Sequence, residues 1–415
     1  MLSEDRSLDG NASHAPASPA RNGGALFLTG ITGFVGMEVL ARWLEKTDRR
    51  IYALIRAKDE EAAAERLRAV LATTFGDPEA HPGRVVPVAG DIEQECLGLD
   101  TKRLDELAED VGGIVHSAAS VSFAVGVDES RAINVVGTER MLEFAERCHA
   151  HGGIERFTYV STAYVAGTRH GAFSETDYDV GQKFRNPYER SKFESEGNVR
   201  AAAARLPIQI VRPSIVVGEQ ASGWTVAFNV MYGPIRAFAH GAYKAVPLNL
   251  SAPIDIVPID YVADGIFELS RNGPEGTFHL VAADKATTIG TLAEMTSEHF
   301  HRPLPWILPG GIYRRIYPLL HAITKGKQRI ALERTQVFMP YLSMAVRFKN
   351  DITRARLEPA GVTLEPLEEY FPRLLDFAQA ADWGKRPLPH PRSAWRWAEP
   401  LLEPSGPPAS YTGLL

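Results

Sequence analysis

A tyrosine and a lysine four positions apart are the residues of this sequence best suited to proton transfer. They open and close the string Tyr188-Glu189-Arg190-Ser191-Lys192. On a helix, this spacing places both side chains on one face. A free phenol has a pKa of about 10, and a nearby ammonium favours the phenolate. We therefore expect Lys192 to lower the pKa of Tyr188, so that Tyr188 can exchange a proton near neutral pH.

A hydroxyl is expected close to this pair. Ser161 and Thr162 follow the apolar run Phe157–Val160, which has the composition of a buried strand. In open α/β sheets, ligands bind beyond the carboxyl ends of the strands. One of these two hydroxyls is therefore predicted to share a crevice with Tyr188.

A glycine-rich string near the start of the chain is suited to binding phosphate. Its residues are Thr29-Gly30-Ile31-Thr32-Gly33-Phe34-Val35-Gly36, between an apolar run and a helical pattern. Gly30 permits a tight turn, Gly33 lets the backbone approach a pyrophosphate, and Gly36 lets helix and strand pack closely. The helix N-terminus would then face the negative charge. This context predicts a dinucleotide site.

The second apolar run indicates which dinucleotide is bound. It ends at Arg56, followed by Lys58, where an NAD site would place an acid for the ribose hydroxyls. A guanidinium can bind a 2′-phosphate through two hydrogen bonds. The sequence therefore favours NADPH over NADH, with a solvated surface arginine as the alternative interpretation of Arg56.

The elements that position these residues follow an alternating pattern. Apolar runs separated by amphipathic helical patterns predict a doubly wound α/β fold with a parallel sheet, followed by a smaller, mostly helical C-terminal region. The predicted strands are Ala25–Thr29, Arg50–Ile55, Val85–Val88, Gly113–His116, Phe157–Val160 and Ile208–Val211. The predicted divisions are a disordered leader 1–23, an NADP-binding domain 24–218, a substrate-binding region 219–300 interleaved with late strands, a helical extension 301–386 and a Pro-rich tail 387–415.

Composition excludes several classes of protein. The 415 residues are 45% hydrophobic and 23% charged, which is typical of a globular protein. A net charge of −6 argues against a dedicated nucleic-acid binder. The two cysteines, Cys96 and Cys148, exclude a disulfide scaffold and a cysteine-rich metal site, and they favour the cytoplasm. The histidine spacing predicts no metal site.

Taken together, several motifs resemble the extended short-chain dehydrogenases/reductases from about residue 24 to residue 285. The shared strings are Thr29–Gly36, His116-Ser117-Ala118-Ala119, Asn134-Val135-Val136-Gly137-Thr138, Ser161-Thr162-Ala163-Tyr164-Val165, Tyr188–Lys192 and Arg212-Pro213-Ser214. The strings Gly90-Asp91-Ile92, Asn186-Pro187-Tyr188 and Asp255-Ile256-Val257-Pro258-Ile259-Asp260-Tyr261-Val262 narrow the resemblance to the thioester-reductase branch. That branch includes fatty acyl-CoA reductases and the reductase domains of carboxylic acid reductases and peptide synthetases.

The resemblance implies roles for individual residues. Thr162 and Tyr188 would hydrogen-bond the thioester carbonyl, Lys192 would bind the nicotinamide ribose, and Asn134 would position Lys192 through water. The implied cofactor contacts are Thr29, Gly30, Thr32, Gly33, Phe34, Val35, Gly36, Arg56, Asp91, Ile92, Ala118, Tyr188, Lys192, Pro213 and Ile215. The candidate substrate contacts are Ser122, Trp224, Met231 and Tyr232, for which ordinary core packing is an equal alternative.

The function implied is NADPH-dependent reduction of an acyl thioester to an aldehyde or, with a second hydride, an alcohol. No adenylation or carrier module fits before Gly30, so the acyl group is expected from CoA or from a phosphopantetheine carrier in trans. Two alternatives stay open: an extended reductase acting on a sterol-like alcohol or a nucleotide-sugar, and a non-catalytic NADPH-binding regulator. The intact Thr162, Tyr188 and Lys192 argue against the regulator.

A basic segment is a candidate for docking the acyl donor. Residues 301–350 hold nine lysines and arginines against the single acid Glu333. Its cations could meet CoA phosphates or an acidic carrier. The apolar face of Gly310–Thr324 is expected to pack in the core, with an acyl tunnel or peripheral membrane contact through 310–329 as alternatives. The oligomeric state is not predicted.

Overall fold

The computed structural model describes residues 23–121, 126–228, 230–308 and 344–394, and the single positions 315, 317, 318, 321, 322, 325, 326, 329 and 341. Several predicted features lie outside these residues. They are nearly all of the leader, Ser122, most of the segment 310–329, and the tail from 395 onward.

The strands and helices of the described residues confirm the predicted alternation. The strands are β1 Ala25–Thr29, β2 Ile51–Ile55, β3 Val85–Ala89, β4 Val111–His116, β5 Arg156–Val160, β6 Gly171–Phe173, β7 Ile208–Pro213, β8 Ile215–Val217, β9 Ala245–Val246, β10 Pro253–Ile254, β11 Ile256–Pro258, β12 Gly276–Leu280, β13 Thr287–Thr288, β14 Trp306–Ile307 and β15 Val346–Phe348. The helices are α1 Phe34–Lys46, α2 Glu60–Phe75, α3 Thr101–Asp110, α4 Val127–Arg131, α5 Gly137–Gly152, α6 Pro187–Ala202, α7 Tyr232–Ala239, α8 Ile259–Asn272 and α9 Ile289–His299, followed by Asp351–Leu357, Leu367–Ala380 and Pro391–Ala394.

Seven of these strands form one parallel sheet in the order β12-β7-β5-β4-β1-β2-β3. The order reverses between β1 and β4, where Thr29 lies beside His116. Such a switch point opens a crevice at the carboxyl ends of the strands. The fold is the predicted doubly wound α/β architecture, and the crevice lies between the two strands that carry the glycine-rich string and the His116 string.

The sheet separates two hydrophobic cores because side chains alternate across each strand. From β1, Leu26 and Leu28 point into a core shared with α1, α2 and α8. Phe27, between them, points into the opposite core with α3 and α5, where its ring lies 4.6 Å from that of Phe144. Both faces of the sheet are therefore covered, which explains why its strands are continuous apolar runs.

A third hydrophobic core lies beyond β7. The C-terminal region that contributes to it was predicted to be helical, but it also contains short strands. Tyr370, Phe371 and Leu374, from the helix Leu367–Ala380, form its centre. Two short strands also occur here: β15 pairs with β6, and β14 pairs with β9. These strands contain three and two residues, too few for a period-two pattern to be recognised in sequence.

The Pro-rich tail predicted from residue 387 is partly wrong. Within residues 387–394, His390 and Ser393 are 2% and 8% exposed and pack against the sheet domain. Long-range ion pairs, which local composition does not reveal, hold this segment in place. Among the described residues, no helix has both the length and the apolarity needed to cross a bilayer.

Candidate active site

The glycine-rich string forms the predicted turn between β1 and α1. Gly30 has a φ of +81°, and the Gly33 N–H donates to the Gly30 carbonyl at 2.9 Å. A Cβ on Gly30 would lie 2.7 Å from the Ala118 nitrogen, and one on Gly36 would overlap the Gly30 carbonyl oxygen. The protein's own packing therefore requires both glycines.

Gly33 is different, because no protein contact demands it. Its φ is −96°, and a Cβ there would meet only the Gly30 oxygen, at 3.4 Å. Thr32 and Gly33 are exposed at the N-terminus of α1, while Phe34 and Val35 are half-buried. The missing Cβ leaves a cradle beside a helix N-terminus, which fits the pyrophosphate of a dinucleotide.

A buried histidine links this turn to the rest of the crevice. The Thr29 hydroxyl lies 2.8 Å from His116 Nδ1 and accepts the backbone N–H groups of Ser117 and Ala118 at 3.2 and 3.1 Å. Burial lowers the pKa of His116 to about 3, so the ring is neutral. Its Nε2 lies 3.3 Å from the Thr138 hydroxyl, which donates to the Asn134 carbonyl at 2.6 Å. Sequence reasoning quoted His116 but missed this role.

Three predicted cofactor contacts, Arg56, Asp91 and Ile92, lie just after the ends of β2 and β3. Arg56 is exposed, and its guanidinium lies 3.0 Å from the Glu93 carboxylate. Asp91 follows β3, and its carboxylate accepts the Glu93 N–H at 3.0 Å. Ile92 packs against Gly137, where a Cβ would lie 2.8 Å from the Ile92 side chain. These residues lie at the same carboxyl edge of the sheet as the glycine-rich turn.

Helix α6 carries Tyr188 and Lys192 and begins at a well-formed cap. The Asn186 side chain accepts the Glu189 N–H at 2.9 Å, and Pro187 occupies the first helical position. Tyr188 is half-buried, and its hydroxyl bonds to Thr162. The predicted pairing of this phenol with a strand-end hydroxyl is present.

The expected lowering of the Tyr188 pKa is wrong for this structure. Burial of the hydroxyl raises the pKa of Tyr188 to about 12, although the bond with Thr162 opposes the rise. Lys192 Nζ instead donates to the Val160 carbonyl at 2.8 Å and lies 4.2 Å from the centre of the Tyr159 ring. Burial lowers the pKa of Lys192 to about 7, with the Glu196 charge opposing. The ammonium is therefore directed at the strand rather than at the phenol.

Asn134 lies in a π-helical turn, Ala132–Val136, that joins α4 to α5. Such turns are frequent at functional sites. Its amide nitrogen donates to the Ser191 hydroxyl at 2.9 Å and to the Ser120 carbonyl at 3.1 Å. Asn134 therefore holds α6 through Ser191, the neighbour of Lys192, and ties it to the segment that follows β4.

A buried ion pair holds α6 against β7 beneath these residues. Glu196 and Arg212 have fully buried side chains and meet through two contacts, at 2.6 and 3.0 Å. Ser161 donates to the Glu196 carboxylate at 2.7 Å, and Arg212 also contacts His279 at 3.0 Å. Next to Ser161, Thr162 donates to the carbonyl of Pro213, at the end of β7, at 3.4 Å. Sequence reasoning missed Glu196, although it lies four residues after Lys192 on the same helical face.

Three of the four predicted substrate contacts lie among the described residues, and all three are buried. Trp224 is 1% exposed, with its ring 5.9 Å from that of Phe34. Met231 and Tyr232 belong to the third core, where the Tyr232 hydroxyl accepts the Gly218 N–H at 3.1 Å. These contacts are the ones expected if Trp224, Met231 and Tyr232 simply pack in the core, which was the alternative interpretation of these residues. Ile215, a predicted cofactor contact, lines a small cleft together with Tyr164, Asp255, Tyr341 and Phe348.

Comparisons with known proteins agree with this geometry. Residues 28–266, more than half of the chain, match the NAD-binding family described as male sterility protein. Fatty acyl-CoA reductase 1 of Arabidopsis thaliana is 24% identical over 67% of this chain and 71% of its own length. A linear gramicidin synthase of Brevibacillus parabrevis is 32% identical over 62% of this chain and 5% of the synthase chain. The chain spans about half the length of the Drosophila melanogaster relatives that it matches.

A solved structure extends the likeness beyond the family match. The terminal R domain of the myxalamid PKS-NRPS pathway superposes with a TM-score of 0.76 and 26% identity, covering 92% of this chain and 98% of that domain. These comparisons confirm the resemblance to the thioester-reductase branch. The family match includes the glycine-rich turn, Thr162, Tyr188 and Lys192, and this protein therefore belongs to the NAD-binding family described as male sterility protein.

Proposed function

We propose that this protein is an NADPH-dependent reductase of acyl thioesters, which it takes from CoA or from the phosphopantetheine arm of a carrier. The hydrogen-bonded pair Thr162–Tyr188 carries the proposal, because it places two hydroxyls beyond the carboxyl end of β5. The glycine-rich turn lies at the same edge of the sheet. Relatives named as a fatty acyl-CoA reductase and a PKS-NRPS R domain support the thioester as substrate.

Bound NADPH would supply a hydride to the thioester carbonyl carbon. Tyr188 and Thr162 would donate hydrogen bonds to the carbonyl oxygen, where negative charge develops. A pKa of about 12 keeps the Tyr188 proton in place at neutral pH, so the phenol is ready to donate it. When the carbonyl re-forms, the carbon–sulfur bond breaks and the sulfur leaves as a thiolate, which takes up a proton from solvent, while Tyr188 ends the cycle protonated. The product is an aldehyde, and a second round would give an alcohol.

NADPH rather than NADH is the proposed cofactor. Arg56 supports this choice because it is exposed just after β2. Among the described residues its guanidinium pairs only with Glu93, an acid that is itself partly exposed. The guanidinium can exchange that partner for a 2′-phosphate at little cost, since exposed ion pairs contribute little stability. Lys192 is proposed to bind the nicotinamide ribose, with Asn134 and Ser191 positioning its helix.

The acyl group is proposed to enter the cleft bounded by Tyr164 and Ile215. Tyr164 is two residues from Thr162, and the lining includes the apolar Met344 and Phe348 as well as the acidic Asp255. The cleft encloses about 10 Å³, room for one water molecule, so its walls would have to move apart to admit an acyl chain. The reacting carbonyl would then lie at Thr162 while the acyl chain contacts these side chains. Trp224, Met231 and Tyr232 would support the cleft from the core.

A cytoplasmic location with peripheral membrane contact is proposed for this chain. Cys96 and Cys148 are both free thiols. Trp306 is 81% exposed and lies within the basic segment 301–350. An exposed indole beside cations is typical of membrane-surface contacts. The protein should therefore co-sediment with anionic vesicles, and Trp306→Ala should weaken that association.

A substrate panel tests the proposed function. Loss of NADPH absorbance is measured with acyl-CoAs, an acylated carrier protein, hydroxysteroids and nucleotide-sugars. We expect turnover with a thioester, and aldehyde and alcohol are then quantified to count the hydrides. Turnover with the steroids or sugars alone would replace the proposal with the alternative reductase. NADPH binding without turnover of any substrate would favour the regulator.

A further inference from the structure

A short segment near the end of the described chain packs against the first helix of the nucleotide-binding half. We call Leu388–Ser393 the C-terminal clasp. His390 is buried, and its Nε2 lies 3.3 Å from the Glu38 carboxylate on α1 and 3.2 Å from that of Glu219. Arg392 contacts Glu38 at 3.0 Å. The clasp thus joins α1 to the loop after β8.

The clasp compensates charge that α1 buries. Glu38 is fully buried two residues after Gly36, and on its own helix it pairs only with Arg42. Arg42 is shared with Asp264 of α8. A buried carboxylate without adequate partners is costly, and here it would lie within the first two turns of the phosphate-binding helix. Arg392 supplies positive charge beside Glu38, and the His390 ring lies against the carboxylates of both Glu38 and Glu219.

The clasp also supports the turn through aromatic contacts. The His390 ring lies 4.1 Å from the Trp224 ring, whose Nε1 donates to the Leu388 carbonyl at 3.4 Å. On its other side, Trp224 lies 5.9 Å from Phe34, the first residue of α1. A continuous path of packed rings therefore leads from His390 to the glycine-rich turn.

A metal site is the other interpretation of this cluster. Glu38, Glu219 and His390 each offer one ligand atom, within 4.8 Å of one another. Arg42 and Arg392 already pair with Glu38, and their charges would oppose a divalent ion. Burial alone would lower the pKa of His390, but its bonds to Glu219 and Glu38 raise it. The Arg392 backbone N–H donates to His390 Nδ1 at 3.0 Å, so the ring proton lies on Nε2. A protonated nitrogen donates to carboxylates rather than binding a metal.

We propose that His390 is a positioning residue for dinucleotide binding: with Arg392 it balances Glu38 and Glu219, and through Trp224 it holds Phe34 and the glycine-rich turn ready for the pyrophosphate. The inference rests on the proposed dinucleotide site but not on the proposed acyl substrate. Without His390, Arg42 and Arg392 would still face Glu38, but the Glu219 carboxylate would lose its partner in the clasp and Trp224 would lose a packed ring. Dinucleotide affinity should then fall even though no cofactor contact has been removed.

The test uses the full-length protein and NADPH titration by calorimetry. We expect His390→Ala to raise the Kd for NADPH about tenfold. Arg386→Ala, in an exposed residue just before the clasp, is the matched control and should keep the original Kd. Should the alanine variant fail to fold, His390→Gln serves instead, since its amide still donates to one carboxylate.

Two readouts separate positioning from a general loss of structure. The double variant Glu219→Gln/His390→Gln removes the Glu219 carboxylate together with the ring that faces it, and we expect it to recover most of the affinity. The His390 ring lies 4.1 Å from the Trp224 ring, so His390→Ala should change the part of the fluorescence that Trp224→Phe removes. In turnover, the KM for NADPH should rise while the KM for the thioester stays unchanged.

The outcomes are distinguishable. An unchanged Kd in a folded His390→Ala variant would overturn this inference alone. An increased Kd that the double variant does not recover would also contradict it, because charge balance would then not be the cause. If the unmodified protein bound neither NADPH nor NADH, the proposed function and this inference would fail together.

Discussion

The phenol of Tyr188 shows how position changes the chemistry of a residue. Its spacing to Lys192 predicted an acidified phenol, whereas burial raises its pKa to about 12. Lys192 is directed at the Val160 carbonyl instead. A raised pKa means that Tyr188 stays protonated throughout the neutral range. The residue is therefore better suited to donating a proton to a developing oxyanion than to removing one.

Replacing Tyr188 with phenylalanine should separate chemistry from binding. Loss of the proton donor should slow hydride transfer by roughly 100-fold to 10,000-fold, the usual contribution of a positioned acid. NADPH should still bind, and single-turnover rates with a calorimetric Kd would measure both. Tyr178→Phe is the control, because that hydroxyl donates only to the Phe193 carbonyl. Equal rates for Tyr188→Phe and the unmodified protein would exclude Tyr188 as the donor.

Arg56 gives a second prediction for a single residue. Arg56→Ala should raise the Kd for NADPH roughly tenfold, the equivalent of about one charge-assisted hydrogen bond. The Kd for NADH should stay unchanged, since NADH lacks the 2′-phosphate. Arg50→Ala is a matched control, because Arg50 is an exposed arginine just before the opposite end of β2 and pairs with Asp110. A parallel loss of both affinities would contradict the assignment.

At the level of secondary structure, the turn between β1 and α1 contains glycines with different structural roles. A side chain at Gly36 would overlap the Gly30 carbonyl, whereas Gly33 has room for one. The same motif thus contains two glycines that the packing requires, Gly30 and Gly36, and one, Gly33, whose missing side chain the packing does not explain. Sequence spacing alone does not reveal this difference.

Two alanine substitutions test this division. Gly36→Ala should lower the Tm by several degrees, because the backbone must move to relieve the overlap, as overpacking costs about 1 to 3 kcal/mol. Gly33→Ala should leave the Tm of the protein alone nearly unchanged but should weaken NADPH binding. Thermal unfolding with and without NADPH measures both effects. A large loss of stability in Gly33→Ala would show that the turn itself needs this glycine.

For the whole molecule, the buried charges of the clasp predict a dependence of stability on pH. Burial alone would raise the pKa of Glu38, but the bond to His390 and the charges of Arg42 and Arg392 lower it from 4.5 to about 2. Because the folded-state pKa is the lower one, the stabilisation is complete above about pH 4.5 and is lost as the pH falls towards about 2.

Urea unfolding across this acidic range tests that expectation. Glu38→Gln should show a flatter loss of unfolding free energy with falling pH than the unmodified protein, since one titrating group is gone. The exposed Glu65→Gln, on α2, should reproduce the original slope. Identical slopes for Glu38→Gln and the unmodified protein would contradict the strong pairing of Glu38.

The sequence predicted the sheet closely because its strands are continuous apolar runs. Ala25–Thr29 matches β1 residue for residue, and most other predicted strands differ by one or two residues at an end. Helix α3 and the strands β14 and β15 were not predicted. The clasp was mistaken for a tail because His390 finds its partners on α1 and after β8, far away in sequence. Such contacts leave no local pattern.

The pairing of Arg392 with Glu38 also has a consequence for synthesis. The two residues are 354 positions apart, so α1 emerges early from the ribosome while its partner is made last among the described elements. At ordinary translation rates, the delay is on the order of tens of seconds. During that interval the nascent first helix holds a carboxylate without its arginine and histidine. The clasp should therefore pack against α1 only after synthesis of the chain has passed it. Because the contacting residues lie far apart in sequence, we expect this folding step to be slow.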